Sequence, residues 1–320
     1  MTKQIFTPDF DQIDPKTIAD ELKFGSGYYV FKQALTAETL SAITALASDN
    51  ELLINNNNLG FVRTQWSKFL SYTLAVSKEC YDLVTSEQIL GICRQYFDNP
   101  YKISNQRIYE THTKSHLPWH TDNNLQSGNS YKGKHELPGL MFLLYLTDVD
   151  ETNPFQLIAG SQKWSKENSG RFFTDTFIEQ NYTKDLLTVR APKGSLIVCN
   201  SHLVHRAEPF HEPGFKRLTY IFQVDELSGS YPSHGERLLV NTSFVEHTSP
   251  ELLTYLGFGS QSGYPSFPDT SVATLLPADL FSLQGRIISK AFSVLARSAA
   301  RSLIPAPVIN MVRGKMFKKA

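Results

Sequence analysis

The chain has 320 residues, of which 41% are hydrophobic, and its 31 basic residues are balanced by 31 acidic ones. That is enough apolar material for one large domain with an appendage or for two domains, and the zero net charge excludes bulk electrostatic attraction to nucleic acid. Three cysteines, Cys80, Cys93 and Cys199, stand without metal-type spacing, which excludes a disulfide framework or a zinc knuckle; with neither a signal-peptide core near Met1 nor an apolar run able to span a bilayer, the sequence reads as cytoplasmic.

Residues 14–23 alternate charged and small apolar residues as a helix does, and Gly25-Ser26-Gly27 punctuates them before a short strand, Tyr28-Tyr29-Val30-Phe31. Thr36 and Thr39 offer N-cap chemistry for a helix containing Leu40, Ile43 and Leu46. Residues 54–60 are Asn-rich and end in Gly60, a turn-prone loop at the surface or at the mouth of a site. Residues 70–96 read as two helices with a break near Thr85-Ser86, and residues 103–111 show the period-two alternation of a strand.

Trp119-His120-Thr121-Asp122 carries the first chemistry. On an extended backbone side chains two apart project to one side, so the His120 imidazole and the Asp122 carboxylate can grip one ion. A second His would complete a facial set with open positions, which suits non-haem Fe(II) oxygen chemistry. Residues 123–134 are polar and Gly-rich, the composition of a lid loop, and residues 140–146 form a continuous apolar run, as a buried strand requires. In residues 167–185, a mixed insertion, Arg171-Phe172-Phe173 are candidate substrate contacts. A second buried strand, residues 194–200, leads to His202 and His205, and a strand there can return its end to the same pocket, with His205 the first choice for the missing ligand. Arg217 follows within residues 215–220, with Thr219 on the same strand face. A planar fork of donors beside a hydroxyl suits a carboxylate.

This arrangement resembles the phytanoyl-CoA dioxygenase family of Fe(II)/2-oxoglutarate-dependent oxygenases over roughly residues 25–226. The likeness is strongest in residues 117–122, in residues 140–148 continuing to 153–164, and in residues 194–200 with His205 and Arg217. Relatives usually read Pro-Gly-Ser-His where this chain has Ala159-Gly160-Ser161-Gln162; neither departure is at a metal ligand, so it bears on substrate class. The resemblance implies a mixed α/β fold with a mainly β core, a double-stranded β-helix (jelly roll, cupin-like) buttressed by N-terminal helices. It implies Fe(II) on His120, Asp122 and His205, the last preferred to His202 by its spacing from Arg217. It also implies 2-oxoglutarate chelating that metal with its distal carboxylate on Arg217 and Thr219, and O2 as the oxidant. Succinate and CO2 are then the coproducts and hydroxylation the default outcome, while desaturation, cyclisation and epoxidation use the same ligands. Asp122 excludes the halogenating variant, which has a small residue there. Gln106, Arg107 and Tyr109 are candidate contacts to cosubstrate or substrate, though alternation alone does not say which face points inward. His116 is a candidate for supporting the ligands.

Past Leu252 the likeness fades, which divides the chain into an oxygenase domain over residues 1–250 and a C-terminal helical appendage over residues 251–320. The spaced glycines of residues 257–263 read as a turn. In residues 280–304, Phe281, Ile288, Phe292, Leu295 and Leu303 fall on one helical face, and Arg286, Lys290, Ser293, Arg297 and Arg301 on the other. Such a helix either lies in a membrane interface or packs on the domain with a solvated basic face. The expected partner is a small or lipophilic substrate and not a nucleic acid; two rival classes are an inactive jelly-roll binding module and a zinc-type hydrolase using the same His/Asp/His set.

Overall fold

The computed structural model describes residues 4–48, 67–70, 72–111, 118–122, 138–151, 153–164, 173–208, 216–227, 238–259 and 277–303. They fall into two units, Met1–Tyr264 and Pro265–Ala320. In the first unit, β1 (Tyr28–Phe31), β2 (Ser67–Leu70), β3 (Tyr101–Thr111), β4 (Gly139–Tyr145), β7 (Leu196–Asn200) and β9 (Arg217–Glu226) make a large sheet in the order β1-β7-β4-β9-β3-β2. Strands β5 (Phe155–Ile158), β6 (Leu186–Val189) and β8 (His205–Ala207) make a smaller one in the order β6-β5-β8, and every pairing is antiparallel. Residues of both sheets, among them Met141, Leu143 and Ile197 of the large sheet and Phe155 and Leu157 of the small one, share one apolar layer. The fold is the expected double-stranded β-helix.

The unbroken apolar run of β4 follows from its position. Leu140, Phe142 and Leu144 face a helical layer, while Met141, Leu143 and Tyr145 face the space between the sheets. A strand covered on both faces has no polar side to present. Strand β9 differs: Tyr220, Phe222 and Val224 join the helix-side core, but their alternates Arg217, Thr219, Gln223 and Asp225 are polar and buried. Thr219 pairs with Tyr145 and Gln223 with Met141, so these polar side chains share the inter-sheet face. Strand β9 therefore brings buried polar side chains into the otherwise apolar layer between the sheets.

The helical layer is built from capped segments. Helix α1 is Pro8–Asp11; α2 is Pro15–Lys23, with Asp14 accepting from the Lys16 amide at 2.9 Å and Ile18, Ala19 and Leu22 buried. Helix α3 (Ala37–Ser48) starts at Thr36, whose Oγ1 accepts from the Thr39 amide at 3.3 Å, the cap expected from sequence. The 70–96 stretch resolves differently from the sequence reading: Leu70 ends β2, and the helices are α4 (Thr73–Val76), α5 (Lys78–Val84) and α6 (Glu87–Tyr96). Ser77 and Ser86 cap the last two, each accepting an amide from three residues on and so dividing the apolar run. Residues 54–60 and 123–134 lie outside the described residues. The mixed insertion contains α7 (Asp175–Asn181).

Between α2 and β1 the chain turns over the Glu21 carboxylate, which accepts from the Ser26 amide at 2.8 Å and from the Ser26 hydroxyl. Gly27 has φ +86°, and a Cβ there would lie 2.4 Å from the Gln162 side-chain oxygen; only glycine meets both demands. Gln162 donates to the Gly25 carbonyl at 3.1 Å, and the Gly160 amide to the Ser26 carbonyl at 2.7 Å. Gln162, one of the two departures from the usual motif, thus ties the small sheet's β5 exit to the entry of the large sheet.

Helix α8 (Pro250–Tyr255), assigned by sequence to the appendage, packs on the jelly-roll unit: the buried Tyr255 hydroxyl donates to the Val84 carbonyl at 2.9 Å. The second unit contains α9 (Pro277–Leu303). Among the described residues no helix is long and apolar enough to cross a membrane.

Two stability measurements follow. Phe222 stacks on Phe142 with centroids 4.5 Å apart at 4°, so Phe222→Ala should lower unfolding free energy by about 3–5 kcal/mol in urea titration. The Ser26 hydrogen bonds hold the Glu21 carboxyl below its ordinary 4.5. Its contribution is therefore complete above that value and lost as pH falls through the lowered one. Urea titrations of the wild type and Glu21→Gln should show a stability difference at neutral pH that closes on acidification.

Candidate active site

Two backbone hydrogen bonds create the centre of the site. His120 and His205 form an antiparallel bridge, the His120 amide donating to the His205 carbonyl at 3.0 Å and the His205 amide to the His120 carbonyl at 2.9 Å. Residues facing each other across such a pair point their side chains the same way. The imidazoles accordingly lie 4.4 Å apart between centroids, and Asp122, two residues on, joins them. Asp122 Oδ1 is 3.8 Å from His120 Nε2 and 3.5 Å from His205 Nε2, and one ligand atom from each residue falls within 4.8 Å of the others. The two separations from Asp122 lie under the roughly 4 Å that is the most two atoms can stand apart when each is bonded at about 2 Å to one metal, so small shifts bring the set together on an ion.

The imidazoles are oriented for ligation. His120 Nδ1 is 2.7 Å from the Pro118 carbonyl and His205 Nδ1 is 2.9 Å from the Leu203 carbonyl. A carbonyl can only accept, so each Nδ1 carries the proton and each Nε2 presents its lone pair to the shared centre. Burial, aided by His205, pushes the His120 pKa down to about 4, against the pull of Asp122. Burial favours a neutral Asp122, but His205, His120 and Arg107 together outweigh it and hold the carboxyl below its ordinary value. Burial likewise opposes charge on His205, but Asp122 and the Leu203 carbonyl together outweigh it and raise that pKa. Neutral nitrogen and anionic oxygen donors on one face fit a divalent first-row metal.

Neighbouring residues brace the ligands. The Trp119 indole N–H donates to Asp175 Oδ1 at 3.1 Å; the Arg206 guanidinium lies 4.3 Å over the Trp119 ring, pairs with the same carboxylate, and donates from Nε to Gln156 Oε1 at 2.8 Å. Asp175, the first residue of α7, thereby links the residue before one His ligand to the residue after the other. Sequence reading did not find this role, because nothing in a lone acidic residue within the insertion announces it.

Arg217 and Thr219 open β9 on the inner face, 6% and 0% exposed. Arg217 Nη1 donates to the Asn153 carbonyl, while its Nε and the Thr219 hydroxyl find no hydrogen-bond partner among the described residues. Burial draws the guanidinium pKa down, and the Tyr145 and Tyr109 hydroxyl groups oppose this. Among the described residues no carboxylate pairs with Arg217, so a buried cation faces orphaned donors, a demand that an acidic ligand meets. Asn153 is held at φ +55°, a conformation Asn tolerates better than other side chains, and so turns its carbonyl toward Arg217. The two centres adjoin: Phe155 packs 5.2 Å from the His205 ring, and its amide donates at 2.9 Å to Tyr145 Oη, which lies beside Arg217.

Of the other sequence candidates, Tyr109 pairs with Thr219 and shares the inner face with Arg107, whose guanidinium lies 5.4 Å over the Tyr109 ring and lowers the Asp122 pKa. Gln106 does not: its side chain turns to the helix-covered side, where it accepts from the Thr73 hydroxyl. Strand alternation separates it from its neighbours on either side. His202 stands outside the ligand cluster, its amide bonded to Asn200 Oδ1 at 2.9 Å. Phe173 packs against Trp164 and Phe177 and bridges Trp119 through its backbone, a structural position. His116, Arg171 and Phe172 lie outside the described residues.

The model of the phytanoyl-CoA dioxygenase (PhyH) family matches residues 25–218. No curated protein sequence matches the chain. Among solved structures, the chain is similar to the non-heme alpha ketoglutarate dependent carbocyclase SnoK from nogalamycin biosynthesis, with 17% identity over 68% of this chain and 86% of that one and a TM-score of 0.53. It is similar to EctD from S. alaskensis in its apoform, with 15% identity over 73% and 83% and a TM-score of 0.52. The epimerase SnoN in complex with Fe3+, alpha ketoglutarate and nogalamycin RO shares 15% identity over 66% and 83%, with a TM-score of 0.50. At these identities the likeness establishes the fold.

If Asp175 braces both ligand segments, Asp175→Ala should weaken divalent-metal binding at least about tenfold, as loss of outer supports does elsewhere. Isothermal titration with Ni(II) on a variant with unchanged circular dichroism measures it, and an unaltered affinity would show that the brace does not reach the ligands.

Proposed function

The chain belongs to the phytanoyl-CoA dioxygenase family of Fe(II)- and 2-oxoglutarate-dependent oxygenases, and from that membership we propose that it hydroxylates an unactivated C–H bond of a small or lipophilic molecule. His120, Asp122 and His205 are the residues that would hold Fe(II), their donor set of two imidazole nitrogens and one carboxylate oxygen being suited to it. Bound there, Fe(II) with 2-oxoglutarate and O2 supplies the oxidising power for C–H cleavage, and succinate and CO2 leave.

The chain's own residues do the rest. Arg217 and Thr219 offer the unpartnered Nε and hydroxyl to the distal carboxylate of the diacid, and the charge they accept neutralises the buried guanidinium. Asn153 and Tyr145 keep that guanidinium aimed, the first through its carbonyl and the second from beside it. Tyr109 lines the same face as Thr219, and Arg107 lies toward Asp122. Met141, Leu143, Ile197 and Phe155 exclude water from the interior, so that a reactive oxidant is spent on one positioned C–H bond.

The observation that carries the reading is the buried, acid-free pairing of Arg217 with Thr219 next to a facial His/Asp/His set. Neither an inactive binding module nor a zinc hydrolase has use for a dedicated carboxylate anchor at that place. The apolar inner wall favours a lipophilic substrate, and we read the enzyme as cytoplasmic. Hydroxylation is the simplest outcome for an intact carboxylate ligand at Asp122.

The test is succinate formation from 2-oxoglutarate with Fe(II) and O2, without added substrate. The wild type should produce succinate slowly, and Asp122→Ala none above the enzyme-free control. Arg217→Ala should raise the 2-oxoglutarate concentration for half-maximal turnover about 10- to 100-fold, the worth of a charged hydrogen-bonded pair, while metal affinity stays unchanged. Succinate absent from the wild type, or an Arg217 variant indistinguishable from it, would overturn the proposal.

A further inference from the structure

We infer that α9 is a docking helix for anionic membrane surfaces, lying in the plane of the bilayer interface with its apolar side among the acyl chains and its cations among the headgroups.

Three observations combine. At 3.6 residues per turn, positions 281, 288, 292, 295, 299 and 303 of α9 fall along one side and are all apolar, whereas positions 286, 290, 297 and 301 fall along the opposite side and are all Lys or Arg. The described large side chains of the apolar side are bare: Phe292 is 69% exposed, Leu295 65% and Ile288 56%. A helix that stabilises a globular unit buries such a stripe. Finally, residues 280–320 contain eight Lys or Arg and no Asp or Glu in a chain whose net charge is zero, so the stretch of sequence that carries the apolar stripe is also its most positive.

Together these select the occupant. A phosphate backbone would take the cations but leave Phe292 and Leu295 in water. A spanning arrangement is excluded because cations recur along the helix, and no described helix is long and apolar enough to cross. A second copy could cover the apolar stripe, but both copies would bring the same uncompensated cations. An anionic bilayer answers both faces at once: apolar depth for one, negative charge for the other. The helix of 27 residues would then lie along the surface for about 40 Å. This inference is independent of the reaction proposed for the jelly-roll unit.

The experiment is flotation of the full chain with vesicles of phosphatidylcholine alone or of phosphatidylcholine with phosphatidylglycerol. Recovery should occur with the anionic vesicles only and fall as salt rises through the range that screens surface charge. Lys290→Gln combined with Arg297→Gln should lower partitioning roughly 30-fold, at about fivefold for each charge near the surface. Phe292→Ser should lower it with the charges intact, and uncoupled succinate formation should be the same in these variants as in the wild type, showing the jelly-roll unit folded. Absence of flotation, or equal recovery on neutral vesicles, overturns the inference. So does a self-associated chain in sedimentation velocity that Phe292→Ser returns to monomer without vesicles. Binding of a duplex oligonucleotide that Phe292→Ser leaves unchanged, with no vesicle recovery, overturns it equally.

Discussion

The chemistry of this protein rests on two backbone hydrogen bonds between His120 and His205. They join a short bridge segment to β8, and because a directly opposed pair projects to one side, they set the spacing of the imidazoles before any metal arrives. The carbonyls of Pro118 and Leu203 then choose the tautomer, and Asp122 balances the pair electrostatically. The ligand set is held by main chain, the least adjustable part of the protein, and this is what lets it stay open toward a small molecule without collapsing on itself.

A second constraint is the buried guanidinium. An arginine interior to a jelly roll has to be neutralised or solvated, and the described residues supply it with a carbonyl and two phenols. The remaining donors are kept vacant by position: Arg217 and Thr219 alternate with Leu218 and Tyr220 on one strand, so the polar side chains are forced inward while the apolar ones complete the helix-side core. The strained backbone of Asn153 belongs to the same design, since its left-handed turn aims a carbonyl at the guanidinium. Stability given up at these residues is recovered in the stacked Phe142–Phe222 layer and the capped helices behind it.

The charge distribution separates two kinds of recognition. The jelly-roll interior meets an acid at one buried cation, where low dielectric makes each hydrogen bond count. Helix α9 draws its cations from positions spread along one helical side, an arrangement suited to a surface that offers many negative charges together. A chain with no net charge can thus possess two distinct anion-seeking features, each legible only locally.

Local pattern alone determined much of the architecture. Period-two alternation located β3, continuous apolar runs located β4 and β7, a hydroxyl cap located α3, and the break before α6 was read near Thr85-Ser86, because each depends on residues close in sequence. The His120, Asp122, His205 and Arg217 candidates came from residue type and spacing, helped by likeness to a family. Which face of β3 turns inward was decided only by pairing with β9, and it placed Tyr109 with Thr219 while turning Gln106 toward Thr73. Leu70 joined a strand in place of a helix because β3 was there to pair with it. The bracing by Asp175, the carbonyl of Asn153 and the tie through Gln162 likewise join residues far apart in the chain. Sequence pattern reports what a segment prefers beside its neighbours, whereas contacts of that kind exist only once the sheets have closed and opposed one backbone to another.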